Sequence, residues 1–273
     1  MTCFCGRAHG VGRRGFVALA AAMATMPAFA QTAPTSAGPA DPPLIADLVA
    51  ANRILFDQGV VDGFGHVSAR HDKDQNRYLL ARSMAPGLVT ADDIIEYDLD
   101  SNPVDARGRP SYLERFIHGE IYRARPDVKS VVHSHSPAVI PFADTAVPFL
   151  PMNHIAGFLG AKVPIFEIRD VAGPATDMLV RNAALGRALA VTLGDSSVAL
   201  MRGHGSVAAG QSVRHAVFRA VYTEVNARVE AQALALGGKP TFLNPQEAAA
   251  AAKTNDGLVD RPWELWKRHA MGT

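Results

Sequence analysis

Cysteine is nearly missing from this chain of 273 residues: there are two, Cys3 and Cys5. A disulfide framework or a thiolate zinc site therefore has no residues to build it beyond position 5. Net charge is almost absent as well, because 27 basic residues face 26 acidic ones and leave +1. No basic run is long enough to track a nucleic-acid backbone, which argues against nucleic acid as a partner. The apolar run at 16–23 is too short to span a bilayer as a helix. What is present is 48% hydrophobic and 19% charged residues, enough for one globular domain with a real core or at most two small ones.

The first thirty residues read as an export signal. Arg13-Arg14-Gly15-Phe16-Val17 leads into the apolar run, and Ala28-Phe29-Ala30 supplies a small-x-small cleavage site before Gln31. The paired arginines point to the twin-arginine route and the periplasm. The alternative is a misassigned start codon ahead of a cytoplasmic protein that begins near Leu44. Cleavage would remove Arg7, Arg13 and Arg14 but no acidic residue, taking the net charge from +1 to −2. It would also remove both cysteines, so any metal would have to be held by His, Asp or Glu. Residues 31–43 are rich in Pro, Ala, Thr and Ser and read as a flexible linker. That leaves 44–273 as the folded domain.

Within this domain, helical spacing predicts helices over 44–58, 111–125, 176–193 and 213–236, with a further Ala-rich helix over 245–253. Ser111 is a good N-cap and Pro126 a stop for the second. Alternation and short apolar runs predict strands over 65–70, 77–81, 94–98, 129–134, 165–168, 197–202 and 206–209. Trp263 and Trp266 are expected to anchor the tail. The elements mix without strict alternation, so the class is α/β or α+β with a largely antiparallel sheet.

The most informative feature is His133-Ser134-His135 at the end of the run Val131-Val132. A strand sends residues i and i+2 to one face, so both imidazoles are placed to grip one cation. Catalytic zinc usually takes three protein ligands. Of the ten histidines, His204 is the best third ligand, since Gly203 and Gly205 free its backbone to crowd a metal. Alone, His204 reads equally well as a turn histidine bonded to backbone. Glu114 and His118 are four apart and share a helix face. Two readings stand for Glu114: it closes a Ser111-x-x-Glu114 capping box, or it serves a bound cation as ligand or proton carrier. His118 reads equally as a packing residue.

Taken together, Pro110-Ser111-Tyr112-Leu113-Glu114-Arg115-Phe116-Ile117-His118, Ile121-Tyr122, Arg125-Pro126-Asp127-Val128, His133-Ser134-His135-Ser136-Pro137 and Arg202-Gly203-His204-Gly205 resemble the class II aldolase/adducin superfamily. The match runs over roughly residues 44–236. The resemblance implies a three-layer α/β/α sandwich around a mainly antiparallel sheet. It implies that His133, His135 and His204 ligate a divalent metal, zinc in many members, with Fe2+ or Mn2+ as alternatives. It implies that Glu114 is the acid/base, and that the protein forms a homotetramer with the metal site at a subunit interface.

Departures from the family's sugar-phosphate pattern narrow the substrate. Tyr112 and Leu113 stand where two serines precede the glutamate, His66 replaces the asparagine after Gly65, and Arg82-Ser83 aligns with a Thr-Gly pair. Bulky side chains without suitable donors disfavour a phosphosugar. Arg82 and Arg115 suit a small-molecule carboxylate, with ordinary surface pairing as the alternative. Ser83 and His66 join them as expected substrate contacts. Gly65-His66-Val67-Ser68, residues 111–116 and Met152-Asn153-His154-Ile155-Ala156-Gly157 resemble a decarboxylase branch acting on hydroxy-carboxy-muconic semialdehydes or dihydroxyaromatic acids. His154 is a candidate second proton donor or a loop histidine with no role.

The expected activity is therefore a metal-dependent carbon–carbon lyase that decarboxylates a hydroxy or oxo carboxylic acid of aromatic catabolism through a metal-stabilised enolate. The alternatives are an aldolase on a non-phosphorylated hydroxy-oxo acid, a non-catalytic adducin-like scaffold, and an iron-dependent oxygenase.

Overall fold

Most strands in this protein are buried on both faces, because the sheet is covered on both sides. A computed structural model describes Thr2, residues 34–237 and residues 239–272. Apart from Thr2, the expected export signal lies outside the described residues. In chain order the elements are α1 (Pro42–Asp57), β1 (His66–Arg70), β2 (Arg77–Ala81), β3 (Ile94–Asp98), α2 (Phe116–Ala124), β4 (Ser130–Ser134), α3 (Ile140–Ala143), β5 (Ile165–Phe166), α4 (Arg169–Ala172), α5 (Ala183–Leu193), β6 (Val198–Met201), β7 (Gly205–Gly210), α6 (Val213–Ala235), α7 (Pro245–Asp256) and α8 (Asp260–Met271). The seven strands lie in the order β3-β2-β1-β4-β7-β6-β5. Every pair is antiparallel except β5 with β6.

Period-two alternation sorts the strand residues between two cores. Val67, Val132, Leu200 and Ala208 face α1, α6 and α8, where Leu48, Ile54, Val217 and Trp263 complete one core. Leu80, Val131, Ala199 and Val207 face α2 and α5, where Ile117, Ile121 and Leu189 complete the other. The result is the expected three-layer α/β/α sandwich around a mainly antiparallel sheet. Trp263 and Trp266 are buried and anchor α8. No described helix is long and apolar enough to cross a membrane.

Three local expectations change. Residues 111–125 do not form one helix: a 3-10 turn at Leu113–Arg115 precedes α2, and Ser111 makes no cap because its hydroxyl accepts from Tyr97 at 2.8 Å. The helix expected from 176 begins only at Ala183, where the Asn182 side chain accepts from the Leu185 amide at 3.0 Å. Residues 176–181 are irregular, with Met178 at φ +71°. The described part of the expected linker is tied down, since Glu96 accepts from the Ser36 hydroxyl at 2.6 Å and from the Ala37 amide at 2.8 Å.

Candidate metal centre and its cavity

β4 is the central strand, and its register places the site. His133 lies directly across from His66 on β1 and Val207 on β7. His135 falls one residue beyond β4, yet its ring returns to His133, with the two Nε2 atoms 3.1 Å apart. His204 enters from the turn between β6 and β7, its Nε2 3.0 Å from that of His135. Glycine is required on both sides of it. Gly203 sits at φ +63°, and a Cβ on Gly205 would lie 2.0 Å from the Ser134 carbonyl oxygen.

Glu114 arrives from the 3-10 turn ahead of α2. Its Oε1 accepts from the Val180 amide at 2.9 Å. Its Oε2 lies 3.4 Å from Nε2 of both His133 and His204. The capping box does not form, so Glu114 belongs to the site. Burial raises its carboxyl, but the neighbouring His133 and His204 outweigh burial and hold it far below the usual carboxylate range.

The ligand atoms of Glu114, His133, His135 and His204 all lie within 4.8 Å of one another. Tetrahedral bonds of about 2.0–2.1 Å put neighbouring ligand atoms about 3.3 Å apart, close to the separations seen. The donor chemistry also fits a cation. His133 Nδ1–H donates to the Ser206 carbonyl at 3.2 Å, which leaves a lone pair on Nε2. Burial, with His133 and His204 adding to it, pushes His135 down to about 4, so its ring is neutral near pH 7. His204 Nδ1 is buried with no partner among the described residues.

Beside the cluster opens a cavity of about 270 Å³, lined by residues 63–66, 83–85 and 112–114 with His135 and Leu179. Its walls are chiefly Phe64, Met84, Tyr112, Leu113 and Leu179. It is sized for one small ring.

His66 and Ser83, expected as substrate contacts, line this cavity. Arg82 and Arg115 do not line it. Arg82 is spent on Asp93, Nε to Oδ1 at 2.6 Å. Arg115 donates to the Ser101 carbonyl at 2.8 Å and the Tyr112 carbonyl at 3.0 Å. His154 is not brought to the cluster either: it opens a 3-10 turn and lines a separate cavity with Phe218 and Tyr222. Three wall residues, Phe64, Met84 and Leu179, escaped the sequence reading, because apolar loop residues carry no periodic signal.

These features define an α/β/α protein with a buried His/Glu cluster that could hold a metal ion, and comparison specifies the family. The model for the Class II Aldolase and Adducin N-terminal domain matches residues 46–231, and the chain belongs to this family. Decarboxylase tropJ of Talaromyces stipitatus is 36% identical over 246 residues, covering 82% of this chain and 92% of the relative. The 3,4-dihydroxyphthalate decarboxylase of Terrabacter sp. is 32% identical over 231 residues, covering 79% and 90%. These relatives place the chain in the decarboxylase branch. The fold is shared with the L-fuculose 1-phosphate aldolase of Glaciozyma antarctica, at TM-score 0.70 and 22% identity over 84% of this chain and 90% of that one.

Proposed function

We propose that this protein is a divalent-metal-dependent carbon–carbon lyase that decarboxylates an aromatic dihydroxy acid. The observation that carries this reading is the convergence of three imidazole nitrogens and one carboxylate beside a small, mostly apolar cavity. The names of the two decarboxylases supply the reaction class and point to a substrate resembling 3,4-dihydroxyphthalate.

His133, His135 and His204 would hold the cation, with zinc preferred by the three-histidine set and Fe2+ or Mn2+ also compatible. When bound, a divalent cation stabilises negative charge on a substrate oxygen. The remaining work falls to the protein's own groups. Glu114 is held as a carboxylate, with Oε1 accepting from Val180 N–H and Oε2 facing the histidines. It takes the proton of a ring hydroxyl and returns it to the ring carbon when the bond to the carboxylate breaks. The electron pair of that bond stays with the ring, CO2 leaves, and solvent restores the hydroxyl proton. Phe64, Met84, Leu113 and Leu179 shield the leaving carboxylate from water, which favours moving its charge onto the ring oxygens.

The test is incubation with 3,4-dihydroxyphthalate and related dihydroxyaromatic acids. CO2 release without an aldehyde fragment is expected, with turnover in Glu114→Gln falling by about two orders of magnitude or more. A hydroxy-oxo acid cleaved to pyruvate plus an aldehyde would replace decarboxylation with aldol cleavage. Wild-type turnover in Glu114→Gln would remove the proton-carrying role.

A further inference from the structure

We propose that a buried hydrogen-bond chain locks His66 as its Nε2–H tautomer, giving the cavity a fixed N–H donor for a substrate carboxylate oxygen. The inference rests on the decarboxylase reading for its ligand but not for its geometry.

Behind the cavity wall, four side chains form one line. Tyr122 hydroxyl lies 2.7 Å from Ser68 Oγ. Ser68 Oγ lies 2.6 Å from His118 Nδ1. His118 Nε2 lies 2.7 Å from His66 Nδ1. Tyr122, Ser68 and His118 are essentially inaccessible to solvent, so each donor in the line needs a partner within it.

Proton accounting selects one direction. Among the described residues the Tyr122 hydroxyl has no acceptor other than Ser68, so it donates there. Ser68 then donates to His118 Nδ1, which makes His118 the Nε2–H tautomer. His118 donates in turn to His66 Nδ1, and the proton of the His66 ring resides on Nε2. Run the other way, the line would end on a Tyr122 proton with nothing to accept it, leaving a buried donor unsatisfied. His66 Nε2 has no partner of its own among the described residues, and His66 lines the cavity. The head of the chain is held rigidly. Arg70 lies 4.6 Å over the Tyr122 ring and donates to the Tyr122 carbonyl at 2.8 Å.

A donor fixed in this way discriminates by chemistry. It bonds a carboxylate oxygen and opposes a group that is itself a donor, such as an amide nitrogen. His118, Ser68 and Tyr122 act through His66 and are positioning residues.

The experiment is long-range proton–nitrogen correlation NMR on the full zinc-loaded chain labelled with 15N-histidine, assigned with His66→Gln and His118→Gln. Wild-type His66 and His118 are both expected as Nε2–H. Ser68→Ala should release the lock and shift His66 toward Nδ1–H. Tyr122→Phe should keep Nε2–H, because the Ser68 hydroxyl still donates to His118; this separates the relay from general loosening of the core. Calorimetry with 3,4-dihydroxybenzoate should show affinity falling about tenfold in Ser68→Ala. Its preference over 3,4-dihydroxybenzamide should shrink in the same variant. An Nδ1–H wild-type His66, or a tautomer indifferent to Ser68→Ala, would overturn the proposal. Failure of wild-type CO2 release would instead refute the reaction and leave the tautomer result standing.

Discussion

Glu114 sits at φ −91°, ψ 16°, at the break between the 3-10 turn and α2. That sparsely populated backbone region commonly holds active-site residues, and here it turns the carboxylate away from the helix end and toward the histidines. A sequence that spells a capping box is thus used for a different purpose, because Tyr97 and Val180, both remote in the chain, claim Ser111 and Glu114. Arg82 makes the converse point. Its guanidinium suits a carboxylate, but the nearest one is Asp93, eleven residues on. Arg82→Ala is therefore expected to leave KM within about twofold and to cost roughly 0.2–1 kcal/mol of stability, as for other partly exposed ion pairs. Steady-state kinetics beside thermal unfolding check this; a KM raised several-fold would return Arg82 to the substrate.

At the scale of elements, the strand and helix periods were legible and their ends were not. His133 and His135 were placed by the period of two, and His204 by its flanking glycines. The relay follows from the same two periods: His66 and Ser68 are two apart on β1, and His118 and Tyr122 are four apart on α2. These spacings amount to about 6.6 Å along a strand and about 6 Å along a helix, so the pairs match when the elements pack side by side. No single segment reveals that match, since it depends on which helix covers which strand. α6 carries a separate cost. Glu230 is fully buried, Leu150 donates to one oxygen at 3.4 Å, and the other oxygen has no partner among the described residues. Burial pushes its carboxyl up to about 7. Because the folded value exceeds the unfolded one, the folded state keeps a proton that the unfolded chain releases. This contribution is full below the unfolded pKa and is lost as pH rises through about 7. Thermal unfolding should show Tm falling by several degrees between about pH 5 and pH 8 in the wild type and by less in Glu230→Gln. Equal slopes in the two proteins would contradict the assignment.

For the whole molecule, the sandwich gathers residues 66, 114, 133, 135 and 204 from four separate segments at one end of β1, β4 and β7. The fold and the four-residue cluster were foreseeable from motifs. Of the cavity lining, His66 and Ser83 were foreseen and the apolar walls were not, because the walls depend on loops at 63–66, 83–85 and 112–114 that meet only after the sheet and both helix layers are assembled. The same assembly gave the site apolar walls instead of the two arginines expected, and so favours a ring over a sugar phosphate. The central claim is that this cluster holds a catalytic divalent ion. Its most direct test is elemental analysis of the purified chain after exhaustive dialysis. About one equivalent of divalent metal per chain is expected, from one four-residue site with three histidine ligands; less than about a tenth of an equivalent, in protein never exposed to chelator, would contradict it.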